Sequence, residues 1–272
     1  MLVHPASQKQ LDMIMRDMPQ SLLLSGKKGI GLYTIARSLA GRELAAEIRP
    51  QNAKEQVDDE NGTISVEMIR QLDTTTRAKQ IKRQVIIIDD ADRMSAGAQA
   101  AFLKLLEEPS EHIHFILTSH NAGRLLSTIR SRVQEITVQP LTREQSNEHM
   151  KTLAITDTTK QAQLQFIAGG LPAEMTRLAD DETLFATRAE IMGDARSFLQ
   201  KSTYEKLLVV NKYQSDRTKA LQLVESAENI LRRTMTAQPQ QGLIAKLELL
   251  LDIYENISHQ YNIRLQLTRF VL

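Results

Sequence analysis

The four-residue run at 85–88, VIII, limits the fold more than any other stretch of the chain. It is wholly apolar, β-branched and bounded by charge, which suits a strand covered on both faces of a parallel sheet. Asp89 and Asp90 end it. Two similar runs, SLLLS at 21–25 and HFILT at 114–118, predict further strands, and 133–138 predicts a last one. Helical patterns fall between them. One runs from 32 to about 46 after a Gly-rich turn, a second covers 64–75 with Val66, Ile69 and Leu72 at helical spacing, and a third is AQAAFLKLLEE at 98–108, closed by Pro109. Alternating β and α segments predict an α/β fold with right-handed crossovers, helices on both faces of the sheet and sites at the C-terminal strand ends.

From Pro140 onward the strand signal stops. The stretches 142–153, 158–167 and 172–178 read as short helices around Gly169 and Gly170, a small helical lid. Longer amphipathic stretches follow at 184–200, 204–210, 217–235 and 243–269, broken near Pro239 and Gly242, and predict an all-α bundle. Their apolar stripes suit packing within the chain or contact with another subunit. The expected organisation is an α/β domain over 1–138, a lid over 139–182 and a helical domain over 183–272.

Composition removes several function classes. With 272 residues, 42% of them hydrophobic, the chain can bury more than one core. Lys and Arg total 34 against 33 Asp and Glu, so any nucleic-acid contact needs a local patch. The absence of cysteine excludes disulfides and thiolate zinc sites and fits a reducing cytoplasm, where we expect the protein. Six scattered His residues suggest no metal site. The start MLVHPASQKQL lacks the pattern of a signal peptide, and no apolar run approaches the roughly 20 residues of a membrane helix.

Gly26, Gly29 and Gly31 lie in GKKGIG, between a strand and a helix, where backbone N–H groups and a helix N-terminus can cradle phosphates. A working phosphate loop continues with Lys, then Ser or Thr for magnesium; here those positions hold Leu32 and Tyr33. Thr34 lies one residue further, roughly 100° around the helix, and Lys28 precedes the last glycine, so neither repeats the geometry without a register shift. A Gly-rich turn kept for its tight bend is the preferred reading of the motif over tight ATP binding. Asp89 and Asp90 stand where such ATPases place a magnesium-binding Asp and a water-polarising Glu. Asp90 is one methylene short for a general base, and acidic residues at strand ends are common in any case.

The ordered series VIIIDDADRMSAGAQAAFLKLLEEP, then HFILTSHNAGRLLSTIRSRV, resembles the Walker B, LLEEP, sensor-1 and Ser-Arg-Cys region of bacterial DNA polymerase III clamp-loader subunits, which are AAA+ proteins. The resemblance extends upstream to SLLLSGKKGIG and ISVEMIRQL, and more faintly to NIRLQLTRFVL. Within that family the gamma/tau subunit is the ATPase, whereas delta-prime has a damaged phosphate loop and keeps the Ser-Arg-Cys arginine. This chain is similar to the second pattern.

The resemblance implies that Ser131 and Arg132 form that element, with Val133 replacing the Cys, and that Arg132 acts in trans as an arginine finger. A guanidinium suits this role because its rigid fork of donors can stabilise charge on a neighbour's γ-phosphate. Without the surrounding motifs, Arg130 and Arg132 would read as ordinary surface charges. Thr118 and Ser119 match sensor 1, and Gly26, Gly29, Gly31, Thr34, Asp89, Asp90 and Thr118 would then form a vestigial nucleotide site. The sensor-2 arginine falls on Pro172 or its neighbours, and RPQNAKEQVDDENG at 49–62 stands where many members carry a four-Cys zinc module. No metal or cofactor is therefore expected, and ATP with magnesium only if the site is still competent. Expected partners are the gamma/tau ATPase and delta subunits and, through the assembled ring, the sliding clamp and primer-template DNA, with no membrane. An active ATPase and a DNA-binding module, the latter using the basic KQIKR at 79–83 and the 124–132 region, are the alternatives.

Overall fold

The protein is described by a computed structural model covering residues 2–59, 61–76, 82–108, 112–155, 157–237 and 241–271. The chain runs through α1 (Pro5–Arg16), β1 (Ser21–Ser25), α2 (Leu32–Ala40), β2 (Leu44–Ile48), α3 (Val66–Thr76), β3 (Gln84–Ile88), α4 (Ala96–Glu107), β4 (Ile113–Ser119), α5 (Ser127–Arg130) and β5 (Gln134–Thr137). The strands make one sheet in the order β2-β3-β4-β1-β5, every neighbouring pair parallel.

The VIII run shows why both faces of this sheet are covered. Side chains alternate along a strand, so Val85 and Ile87 enter one core with Leu11 and Ile14 of α1 and Ile35 of α2. Ile86 and Ile88 enter the other with Ile69 of α3 and Phe102 of α4. Phe102 meets Phe115 of β4 edge-on, with ring centroids 5.3 Å apart. Each such side chain contributes about 1.5–3 kcal/mol by leaving water.

In the sheet region two elements differ from the sequence expectation. The helix after the Gly-rich turn stops at Ala40, because Gly41 takes φ +52° and its N–H closes on the Arg37 carbonyl. Residues 44–48, LAAEI, then form the edge strand β2 against β3. Ala and Glu favour helix locally, and pairing with the buried β3 overrides that preference. The second is α1, which the sequence reading passed over: Pro5 occupies its first turn, and the His4 ring accepts a hydrogen bond from the Ala6 N–H.

Beyond the sheet come α6 (Arg143–Thr152), α7 (Thr158–Ala168), α8 (Pro172–Asp180), α9 (Glu182–Gln200), α10 (Thr203–Tyr213), α11 (Arg217–Ala237), α12 (Gln241–Ser258) and α13 (Ile263–Val271). The stretch expected as one helix over 243–269 is two, separated at 259–262. Lys79, Pro109 and Pro239 lie outside the described residues. The chain divides into two compact units, Met1–Gln161 with Ala168–Arg177, and Ala162–Ile167 with Leu178–Leu272, so the lid helices are shared between them. The second unit has its own core, centred on Phe198, Tyr213, Leu223 and Ile253, with Phe198 stacked on Phe270. Among the described residues no helix is long and apolar enough to cross a membrane.

Candidate functional site

The glycine loop leaves β1 and enters α2. The Gly26 N–H donates to the Ser119 carbonyl at 3.2 Å, which ties the loop to the end of β4. Gly29 and Gly31 adopt φ +88° and +89°, a region other residues enter only at a cost. The first turn of α8 covers this bend: the Glu174 N–H donates to the Gly29 carbonyl at 3.1 Å, and a Cβ on Gly29 would lie 2.9 Å from that of Glu174.

At the start of α2, Leu32 is 2% exposed and belongs to the core beneath the sheet. Tyr33 points the other way, its hydroxyl donating to Glu47 of β2 at 2.9 Å. Thr34 is exposed and lines a cavity of about 430 Å³ with Leu2, Ile30, Gly31, His149 and Thr176. His149 fixes one wall, its Nε2 lying 3.1 Å from both the Pro172 carbonyl and the Thr176 hydroxyl.

At the C-terminal strand ends, the buried Thr118 hydroxyl donates to Asp89 at 2.6 Å and accepts from the Asp90 N–H at 2.9 Å. Ser119 donates to Asp92 at 2.8 Å. Asp90 takes φ +48°, and its carboxylate lies 3.5 Å from His120, whose other ring nitrogen sits 2.9 Å from the Gly26 carbonyl. Burial pushes the Asp89 carboxyl above its ordinary value, with the Thr118 bond and Arg49 opposing. Burial does the same at Asp90, against the pull of His120.

Sequence reasoning missed Arg49 and His120. Arg49 directly follows β2, and the register pairs Ile48 with Ile88, so its guanidinium arrives beside Asp89, 3.6 Å from Nε to carboxylate. It also packs over the Tyr33 ring at 4.8 Å and donates to Asp59 at 2.9 Å. Its only sequence signal is its place after β2, which a helix prolonged to residue 46 conceals.

The arginine corner lies elsewhere on the first unit. The Arg132 side chain is 38% exposed, pairs with Glu107 at the end of α4 at 3.0 Å and donates to the Thr128 carbonyl at 3.0 Å. The Ser131 hydroxyl donates to the same carbonyl at 3.1 Å, and Arg130 lies 3.5 Å from Glu135.

The family model described as DNA polymerase III, delta subunit, matches residues 5–142, half of the chain. The chain belongs to this family. The chain is also similar to archaeal replication factor C small subunits. It is 28% identical to one from Aeropyrum pernix over 51% of this chain and 43% of that protein. It is 28% identical to another from Pyrobaculum islandicum over 64% and 55%. It thus spans about half the length of these curated relatives. In fold it is similar to a DNA polymerase III gamma-subunit-related protein from Thermotoga maritima, with TM-score 0.51, 18% identity and 97% of each chain covered. A Thermotoga maritima RuvB variant aligns with TM-score 0.50 and 15% identity over 95% of this chain and 88% of that one. The fold is AAA+ α/β with a C-terminal helical region, as the sequence series implied, and the family is that of the clamp loaders.

An AAA+ fold implies magnesium and ATP. The cavity beside Thr34 falls within the size range of ligand pockets, but the triphosphate and metal end does not fit. Leu32 is in the core, the Tyr33 hydroxyl is turned to Glu47, and Asp89 is bonded to Thr118 and faces a guanidinium. Among the described residues no cluster of three or more His, Asp or Glu side chains stands ready to hold a metal ion.

Proposed function

We propose that this member of the delta-subunit family is a delta-prime-like clamp-loader subunit, which performs no hydrolysis at its own site and lends Arg132 to a neighbour's ATP. The observation that carries the reading is the direction of the two side chains replacing Lys and Ser/Thr: Leu32 packs inward and Tyr33 bonds to β2, so neither can reach a phosphate. Arg132 keeps the opposite character. It is accessible, and its partner Glu107 is itself half exposed, so the pair is weak and easily exchanged for a triphosphate.

The partners in this reading are gamma/tau-like ATPase subunits and a delta-like subunit and, through the ring, the sliding clamp and primer-template DNA. The second compact unit serves as the collar. Exposed Tyr204, Leu207 and Leu208 of α10 and Leu265 of α13 support that role, since they present apolar area on packed helices. A DNA-binding module has less support, because Lys and Arg total 34 against 33 Asp and Glu and Arg83 is engaged by Glu43 at 2.6 Å.

The test is reconstitution with the ATPase subunits, clamp and primed DNA. The parent chain alone should show no ATP turnover, and Arg132→Ala should assemble normally while clamp-dependent turnover falls. Brisk hydrolysis by the isolated chain would overturn the reading in favour of an active ATPase.

A further inference from the structure

The acidic end of β3 lies opposite a cation that belongs to the chain itself. Asp89 is 11% exposed at its side chain and engages Thr118 on one oxygen. Its other oxygen faces Arg49 Nε at 3.6 Å, inside Coulomb range and too long for a hydrogen bond. That Nε is buried and makes no hydrogen bond among the described residues, so the guanidinium edge is held towards Asp89 by its surroundings. Two features hold it there: the Tyr33 ring packed against it at 4.8 Å, and Asp59, which accepts from Nη2 with both oxygens at 2.9 Å.

The two positions expected to hold a metal in a working site are the helix residue after the phosphate-loop lysine position and the aspartate at the end of the acidic strand. Here they are Tyr33 and Asp89, and both touch Arg49. We propose that Arg49 is the resident cation of this site, a guanidinium standing where a divalent ion would otherwise sit, so that the acidic strand end is neutralised from within and excludes metal. The proposal rests on the reading of this subunit as non-hydrolysing and supplies its physical cause. Loss of the phosphate-loop lysine weakens nucleotide binding, whereas an internal cation also repels the metal that any nucleotide would bring. Arginine suits the place because it stays charged at all working pH and stacks on an aromatic face. Lysine at 49 would keep the charge and lose the planar stack.

The experiment is a manganese titration of the full chain followed by electron paramagnetic resonance, with circular dichroism confirming the fold of each variant. The parent should bind no Mn²⁺ at this site. Arg49→Ala and Arg49→Gln should bind it with roughly tenfold or greater gain, and that gain should vanish when Asp89→Asn is added. Arg49→Lys, the variant most apt to fold if the neutral ones do not, should stay as silent as the parent to Mn²⁺. If the neutral variants fold and remain silent, Arg49 is not what excludes the metal, and the inference fails while the non-hydrolysing reading survives. Mn²⁺ binding by Arg49→Lys at the strength of Arg49→Ala would also overturn it. Asp89-dependent Mn²⁺ and ATP binding by the parent would sink both.

Discussion

Two acid–base clusters on the first unit are built in opposite ways. At the strand ends, Asp89 and Asp90 are satisfied from within by Thr118, His120 and Arg49, and the glycine loop is covered by α8. At the corner after α5, Arg132 is accessible and rests on an exposed glutamate. A site closed by its own side chains needs no ligand to hold its shape, while a loosely held guanidinium is free to exchange partners. The contrast teaches that one α/β unit can hold one charged cluster closed and leave another open some elements away.

The sharpest way to break the comparison is to remove the open side. Arg132→Ala should cut turnover at the ATP site receiving it by about 10³ or more in the reconstituted complex, the scale of a trans arginine. The melting temperature of the isolated chain should hardly move, because an exposed pair contributes about 0–1 kcal/mol. If thermal stability falls and turnover does not, the corner is structural.

On the closed side, Gly29→Val should be the most damaging change. It forces a β-branched residue to φ +88° and drives a Cβ to 2.9 Å from Glu174, at a cost of about 3 kcal/mol. Urea denaturation would measure it. Thr118→Val keeps the volume but leaves the Asp90 N–H and one Asp89 oxygen without their partner. About 2 kcal/mol should be lost by the same assay.

The smallest effect separates burial from pairing. The Asp89 and Asp90 carboxyls lie above their ordinary value in the fold, so the folded chain holds those protons more tightly than the unfolded one. Their contribution favours folding fully below the ordinary aspartate value and is lost as pH rises through the raised ones. Asp90→Asn, which tolerates the left-handed φ of +48°, should therefore stabilise the chain by under about 1 kcal/mol at pH 7. The gain should shrink towards pH 4, as followed by thermal melting. A gain that stayed constant with pH would show that the Asp90 charge carries no penalty.

Much of this was legible before any coordinates. The VIII run predicted a strand covered on both faces, and the two cores divide its residues by alternation. The series from VIIIDD to SRV identified the clamp-loader family that the comparisons bear out. The failure at 44–48 had a larger consequence than one missed strand. Reading LAAEI as helix removed β2 from the sheet and with it the register that carries Arg49 to Asp89. The composition of the segment favours helix, and only the long-range partner β3 decides otherwise.

The sequence by itself determined the alternation of strands and helices, the loss of Lys and Ser/Thr after GKKGIG, and the presence of an arginine after Ser131. These are properties of residue type and local order, which a chain carries before it folds. Tertiary structure alone decided that Leu32 turns inward, that α8 latches the glycine loop and that Arg49 meets Asp89 from 40 residues away. Contacts of that kind depend on strand order and register, which are set when the whole sheet buries its two faces at once.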